Sequence, residues 1–249
     1  MTPLLLRAAA ADWPAVRSWT LERLAALAPE RPVKLVVGNR EQGRTRFEPS
    51  TLRTWLTDLA RERCAGEATR HLKEFDLLAS IPALRADLRA STLFPRRSIV
   101  ATSAWIGGAD ARTGLHCDHL DNVAVLIAGR KRFLLAPPDV VRRPEDISDK
   151  YDRWAMLAAV TFEDLAERPC ARPRLQVVEL AAGDAIYIPA GWWHEVENLD
   201  ASILMSGFFG SPGRVIGQWS RTGALHAAHV AGLWRRGHCA CHMDPRGVA

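Results

Sequence analysis

Two short stretches hold most of the residue types able to do chemistry. In TGLHCDHLDNVAVLIAGRKRF, residues 113–133, a His-x-Asp pair (His116 and Asp118), an apolar run and Lys131 share one span. Far downstream, GDAIYIPAGWWHEV, residues 183–196, contributes His194. Two imidazoles and one carboxylate are the ligand set that leaves three positions open on an octahedral ferrous ion. His116 and Asp118 alternate with Leu115 and Cys117, so on an extended backbone the two ligands face one way and their neighbours the other. Alone, the triplet also suits an exposed surface pair, and a histidine beside Trp192 and Trp193 also suits a satisfied core. Counted together, the two halves read as a metal site.

Lys131 sits between Arg130 and Arg132 in a chain with 29 arginines and four lysines, which points to a need for a compact ammonium. On a strand it faces opposite to its arginine neighbours. If they reach solvent, it reaches inward, where an unpaired cation is costly and a bound dicarboxylate would satisfy it. Thr113 and Asn122 can add hydroxyl and amide hydrogen bonds to that ligand, or serve as ordinary turn and strand-edge residues. Trp105, Trp192 and Trp193 are candidates for an apolar wall that keeps the site dry, with core packing as the rival role.

These residues need a scaffold of short strands. From Ser98 the pattern becomes β-rich: SIVATSAWIG, VAVLIAG and RFLLAPP, then LQVVEL, AIYIP, HEVENL and SILMSGFF, each bounded by Gly or Pro. Seven or eight such strands predict a closed or sandwiched antiparallel sheet such as a jelly roll. The interruption at 139–174, rich in charge and proline, reads as an insertion with a helix around Trp154 to Leu165, of the kind that shapes a substrate mouth. Ahead of the strands, residues 12–28 predict a helix capped by Asp12. Residues 34–38 predict a strand, and Leu52, Trp55, Leu56 and Leu59 give a helical stripe capped by Ser50 or Thr51 and stopped near Gly66. Beyond Pro212 the tail reads as helical. The expected organisation is therefore an N-terminal mixed region (1–97), a β core (98–210) with its insertion, and a helical tail (211–249).

Bulk properties narrow the class. A chain of 249 residues suits one β-rich domain with helical additions. No apolar run is long enough to span a membrane, and the opening segment lacks the basic start of a signal peptide. Five irregularly placed cysteines fit reduced thiols in a cytoplasm. The net charge of +5 is carried by scattered arginines, which read as a solvated surface more readily than as a nucleic-acid site. The run His238-Cys239-Ala240-Cys241-His242 holds zinc-ligand types, but four ligands in five residues do not easily close a tetrahedron, so a frayed terminus is expected there.

WIG, TGLHCDHLDNV, GRKRFLLAPPD and GDAIYIPAGWWHEVENL, spread over most of residues 70–210, resemble the JmjC or cupin-like 2-oxoglutarate oxygenases. The likeness is to the small hydroxylase group that includes the asparaginyl hydroxylase of hypoxia-inducible factor. The resemblance implies a mainly β fold with flanking helices, a double-stranded β-helix that holds Fe(II) through His116, Asp118 and His194. It implies Thr113 and Lys131 at the distal carboxylate of 2-oxoglutarate, Asn122 near its metal-proximal end, and O2 as co-reactant. HLKEF, residues 71–75, resembles the family's Tyr-Leu-Lys motif, with His71 where a tyrosine often contacts the cosubstrate. On the late strand, where relatives carry an asparagine, this chain has Ser206 and Gly207, so that contact is absent or served by water. Hydroxylation of a peptide or protein side chain is the implied reaction. N-methyl demethylation, hydroxylation of RNA or of a small molecule, and a non-catalytic metal-binding cupin are the alternatives. Relatives often dimerise through C-terminal helices, and the apolar tail is compatible with that.

Overall fold

The apolar runs become two antiparallel sheets in the computed structural model, which describes residues 1–61, 69–89, 93 and 99–243. The larger sheet has the order β1-β11-β7-β13-β5-β4-β2-β3, from β1 (Leu4–Leu6), β11 (Ala185–Ile188), β7 (Asp121–Ala128), β13 (Ser202–Phe209), β5 (Ile99–Gly107), β4 (Arg70–Phe75), β2 (Pro32–Val37) and β3 (Phe47–Thr51). The smaller has the order β10-β8-β12-β6-β9, from β10 (Gln176–Ala181), β8 (Arg130–Ala136), β12 (Trp193–Asn198), β6 (Arg112–Asp118) and β9 (Ala155–Leu157). The two sheets enclose a shared core, which makes the fold the expected double-stranded β-helix. Strands β1 to β4 belong to the same sheet as the barrel strands, so the N-terminal region extends the barrel.

The continuous apolar run of β7 is explained by burial on both faces. Val123, Val125 and Ile127 face a core shared with α1 (Pro14–Ser18), α2 (Leu21–Leu27), α3 (Leu52–Ala60) and α4 (Leu77–Ser80). Ala124 and Leu126 face Phe133, Leu135 and Leu180 of the opposite sheet. Leu126 and Ile127 are completely buried, and each such side chain contributes about 1.5–3 kcal/mol relative to exposure. A third cluster, with Leu115, Cys117, Trp193 and Leu165, lies on the outer face of the smaller sheet beneath the insertion.

Several elements differ from expectation for identifiable reasons. The helix expected over 12–28 is broken at Trp19, which is extended, because Thr20 caps a new helix by accepting from the Arg23 amide (3.1 Å). The break also lets Trp19 bury its ring and donate to Asp87 (2.9 Å). Asp12 caps nothing and pairs with Arg89 instead. Thr51 caps α3 as expected, but the helix ends at Ala60, and Gly66 lies outside the described residues. In the insertion, Ala155–Leu157 is a strand that covers the open edge of β6, and the helix is only α5 (Phe162–Ala166), begun by a Thr161–Asp164 capping box. The tail forms α6 (Pro212–Val230), with Ile216 and Trp219 exposed. Past it the run at 238–242 is not frayed: the Tyr151 amide donates to the His238 carbonyl (3.0 Å) and the Ala240 amide to the Tyr151 carbonyl (2.9 Å). Of the described helices, none is long and apolar enough to cross a membrane.

The insertion is anchored by Arg168, which donates two hydrogen bonds to the buried Asp146 carboxylate (2.7 and 2.8 Å) and holds it below the usual carboxylate range. Removing one partner strands the other, so Asp146→Ala is expected to cost about 2–4 kcal/mol in chemical denaturation at neutral pH. A depressed folded pKa stabilises above the unfolded value of about 4 and is lost as the pH falls through the folded one. The gap between the native chain and Asp146→Ala should therefore narrow below about pH 4. A gap unchanged with pH would contradict this assignment.

Candidate metal centre and its pocket

Strand β6 does more than alternate. It pairs with β12 so that His116 lies opposite His194 and Thr113 opposite Val196, which sets two residues of β6, Gly114 and Leu115, against the single Glu195 of β12. The extra residue is a bulge at Gly114–Leu115. Simple alternation would send Thr113 and His116 to opposite faces, whereas the bulge puts Thr113, His116 and Asp118 on one cavity, to which β12 adds His194. Leu115 and Cys117 point into the outer core, as expected. Gly191, at φ +84°, makes the turn that leads into β12.

The three donor side chains converge, with their ligand atoms within 4.8 Å of one another. His194 Nε2 lies 3.6 Å and His116 Nε2 4.0 Å from the Asp118 carboxylate oxygens. Each imidazole is oriented by its other nitrogen: His116 Nδ1 donates to the Gly114 carbonyl (2.7 Å) and His194 Nδ1 to the Trp192 carbonyl (3.1 Å). Both Nε2 atoms are thus left with a lone pair aimed at Asp118. Burial pushes the Asp118 carboxyl up to about 7 and lowers both histidines, His194 well below its usual range. Two neutral imidazoles and a desolvated carboxylate fit a divalent cation, which supplies the charge the set lacks.

Lys131 faces inward as its neighbours face out: it is 4% exposed, and Arg130 and Arg132 pair with Asp200 and Glu179 at the surface. Its ammonium donates to Asn198 Oδ1, whose amide is in turn held by the Gly108 carbonyl (2.8 Å). Burial, with Lys73 nearby, lowers this ammonium to about 7. With a neutral amide as its partner, Lys131 fits a bound carboxylate. Thr113, Asn122 and Ser206 line the same cavity. Asn122 lies 3.4 Å from the Asp118 carboxylate through Nδ2, and its Oδ1 has no hydrogen-bond partner among the described residues.

His71 is not among the residues that line this cavity. It lies opposite Gly107, buried, with neither ring nitrogen hydrogen-bonded among the described residues, and burial, then Lys73, drives its pKa well down. Lys73, two positions along β4 and so on the same face, does line it. Of the three tryptophans only Trp105 lines it, with Leu204 and Phe208 beside it; Trp192 and Trp193 fill the inner and outer cores of the smaller sheet.

The sequence reading missed Glu41. This buried carboxylate accepts from Lys73, from Arg40 Nε (3.1 Å) and from the Gly114 amide of the bulge (3.1 Å). Burial alone would raise it, but Lys73 and Arg40 outweigh burial and hold it low. The rarity of lysine that marks Lys131 also marks Lys73, whereas nothing in the loop at 39–43 signals Glu41. From the insertion, Asp152, Trp154 and Leu157 form the opposite side of the mouth. Because Glu41→Ala leaves the buried Lys73 without its carboxylate and Arg40 with Glu74 but not Glu41, it should destabilise the fold by about 3–5 kcal/mol in denaturant titration. A loss within error of zero would show that the network does not brace the bulge.

Comparison with known proteins agrees with this geometry. The cupin-like domain family matches residues 1–214. The chain is 30% identical over 217 residues to the HSPB1-associated protein 1 homolog of Danio rerio, covering 76% of this chain and 47% of that protein. It is 30% identical over 141 residues to the lysine-specific demethylase JMJ31 of Arabidopsis thaliana (54% and 25%). To the bifunctional peptidase and (3S)-lysyl hydroxylase JMJD7 of Homo sapiens it is 23% identical over 241 residues (82% and 76%). The chain spans less than half the length of the first two.

Proposed function

Because the chain belongs to the JmjC/cupin-like oxygenase family, we propose that it is an Fe(II)- and 2-oxoglutarate-dependent oxygenase. It hydroxylates a side chain of a peptide or protein and releases succinate and CO2. The observation that carries this reading is one cavity with two oriented imidazoles and a carboxylate at one place and, at another, a buried ammonium whose hydrogen-bond partner among the described residues is a neutral amide.

His116, Asp118 and His194 would hold the ion through two imidazoles and one carboxylate. Lys131, with Thr113, receives the far carboxylate of 2-oxoglutarate, and Asn122 lies at the near end, its unpartnered Oδ1 available for hydrogen bonding. Ser206 offers a hydroxyl on the same wall. Once bound, iron and the keto acid supply, with O2, an oxidant able to remove hydrogen from a C–H bond. The chain's own task is to orient that bond and exclude water, for which Trp105, Leu204 and Phe208 form the apolar side. The insertion closes the mouth through Trp154 and Asp152, so substrate choice rests on residues 139–174. Relatives named as a lysyl hydroxylase and as lysine-specific demethylases favour a protein side chain as substrate. The same names support N-methyl demethylation as a second reading.

Purified protein with Fe(II), ascorbate and 2-oxoglutarate is expected to form succinate, and Asp118→Ala to form none. Succinate no higher than a metal-free control, with any peptide pool, would sink the reading. Lys131→Met removes a charge-assisted contact and should raise the 2-oxoglutarate KM about ten- to hundredfold. Product mass separates the two reactions: hydroxylation adds one oxygen atom, demethylation removes a methylene.

A further inference from the structure

The tail run that the sequence leaves without a closed ligand set gains its missing ligand from a helix. His238 turns away to Asp149 (Nε2 to Oδ1, 2.7 Å). In its place His229, near the end of α6, meets Cys239, Cys241 and His242, with all four donor atoms within 4.8 Å of one another. We propose that these four residues form a structural zinc site, separate from the oxygenase centre, that locks the C-terminal segment onto the wall of the cavity.

The spacing supports a cation at the centre. With Zn–N about 2.0–2.1 Å and Zn–S about 2.3 Å, a tetrahedron places two nitrogens about 3.3 Å apart and a nitrogen and a sulfur about 3.6 Å apart. His229 Nε2 lies 3.1 Å from His242 Nδ1 and 3.2 Å from Cys241 Sγ. His242 Nδ1 lies 3.4 Å from both Cys239 Sγ and Cys241 Sγ. That single ring nitrogen has three heteroatoms around it and offers either one hydrogen or one lone pair, so hydrogen bonding does not account for all three contacts. One shared cation accounts for all four contacts.

The surroundings are those of a built site. His229 is completely buried, and its Nδ1 lies 2.6 Å from the Trp234 carbonyl, which leaves Nε2 for the metal. Cys239 is 2% exposed, and both sulfurs are free thiols. Two thiolates and two imidazoles select zinc in a closed, four-coordinate set with no position open to substrate. Binding takes up Zn(II) and releases the two thiol protons to solvent, leaving the site neutral.

The location gives the site its role. The Cys239 carbonyl accepts from Thr45 Oγ1 (2.7 Å), the Ala240 carbonyl accepts from Arg40 Nη1 (3.4 Å), and the Ala240 amide donates to the Tyr151 carbonyl (2.9 Å). The Tyr151 ring lies 4.4 Å from that of His229. Arg40, and Asp152 next to Tyr151, line the cavity. Zinc therefore staples the tail to two segments that form the cavity wall, the loop of Arg40 and Glu41 and the insertion.

Metal analysis of the full chain, purified under reducing conditions from zinc-supplemented cells, is expected to find one tightly held zinc per chain. Asp118→Ala should keep it, and Cys239→Ser/Cys241→Ser should lose it. Because the double variant could also fail to fold, Co(II) added to chelator-stripped, reduced Asp118→Ala protein serves as an independent readout. It should give a thiolate-to-cobalt charge-transfer band and the d–d bands of a tetrahedral ion. Absence of those bands would overturn the proposal. So would zinc that is kept by the cysteine variant and lost by Asp118→Ala, or a Cys239–Cys241 disulfide in the reduced preparation.

Discussion

The bulge at Gly114–Leu115 is the constraint on which the site depends. A regular strand has a side-chain period of two and would direct Thr113 and His116 to opposite faces. One extra residue restores them to a common face and leaves His116 and Asp118 in step with each other. The bulge is fixed from both sides: its Gly114 amide donates to Glu41, and its Gly114 carbonyl accepts from His116. The same distortion therefore sets which residues reach the cavity and which nitrogen of His116 is free. A side chain at Gly114 would collide with Gln42 of the Glu41 loop, so the loop and the bulge must be built together.

Charge is distributed unevenly around this cavity, and the unevenness is informative. Lys73 is neutralised by Glu41, and Arg40 by Glu41 and Glu74. Lys131 has an amide. A buried cation left with a neutral partner costs stability, which a bound anion would offset. At the other place, two imidazoles converge on the Asp118 carboxylate, a donor set that suits a divalent cation. A metal-chelating dicarboxylate would suit both places.

Residues whose chemistry shows in their type and local spacing could be read from sequence: His116, Asp118, His194, and Lys131 through its arginine neighbours. What depended on distant pairing could not. The strand at Ala155–Leu157 exists because β6 has an edge to cover, and local pattern alone suggested a helix there. Trp192 and Trp193, adjacent on one strand start, necessarily face opposite sides and so enter two different cores. Thr113 was assigned by resemblance, and only the bulge explains how it reaches the cavity. His71 was carried over from a motif position; it shares a face of β4 with Lys73, and of the two only Lys73 lines the cavity. His229 could not be joined to the tail run without the fold that returns the chain past α6.

The most direct measurement is an anaerobic titration of the Fe(II) protein with 2-oxoglutarate, followed by visible absorption. Chelation of ferrous iron by the keto acid gives a metal-to-ligand charge-transfer band. The band is expected to saturate at one equivalent, to be absent in Asp118→Ala, and to need a higher keto-acid concentration in Lys131→Met. A native chain that shows no band, or a band of equal strength in Asp118→Ala, would contradict the assignment of this cavity to iron and 2-oxoglutarate.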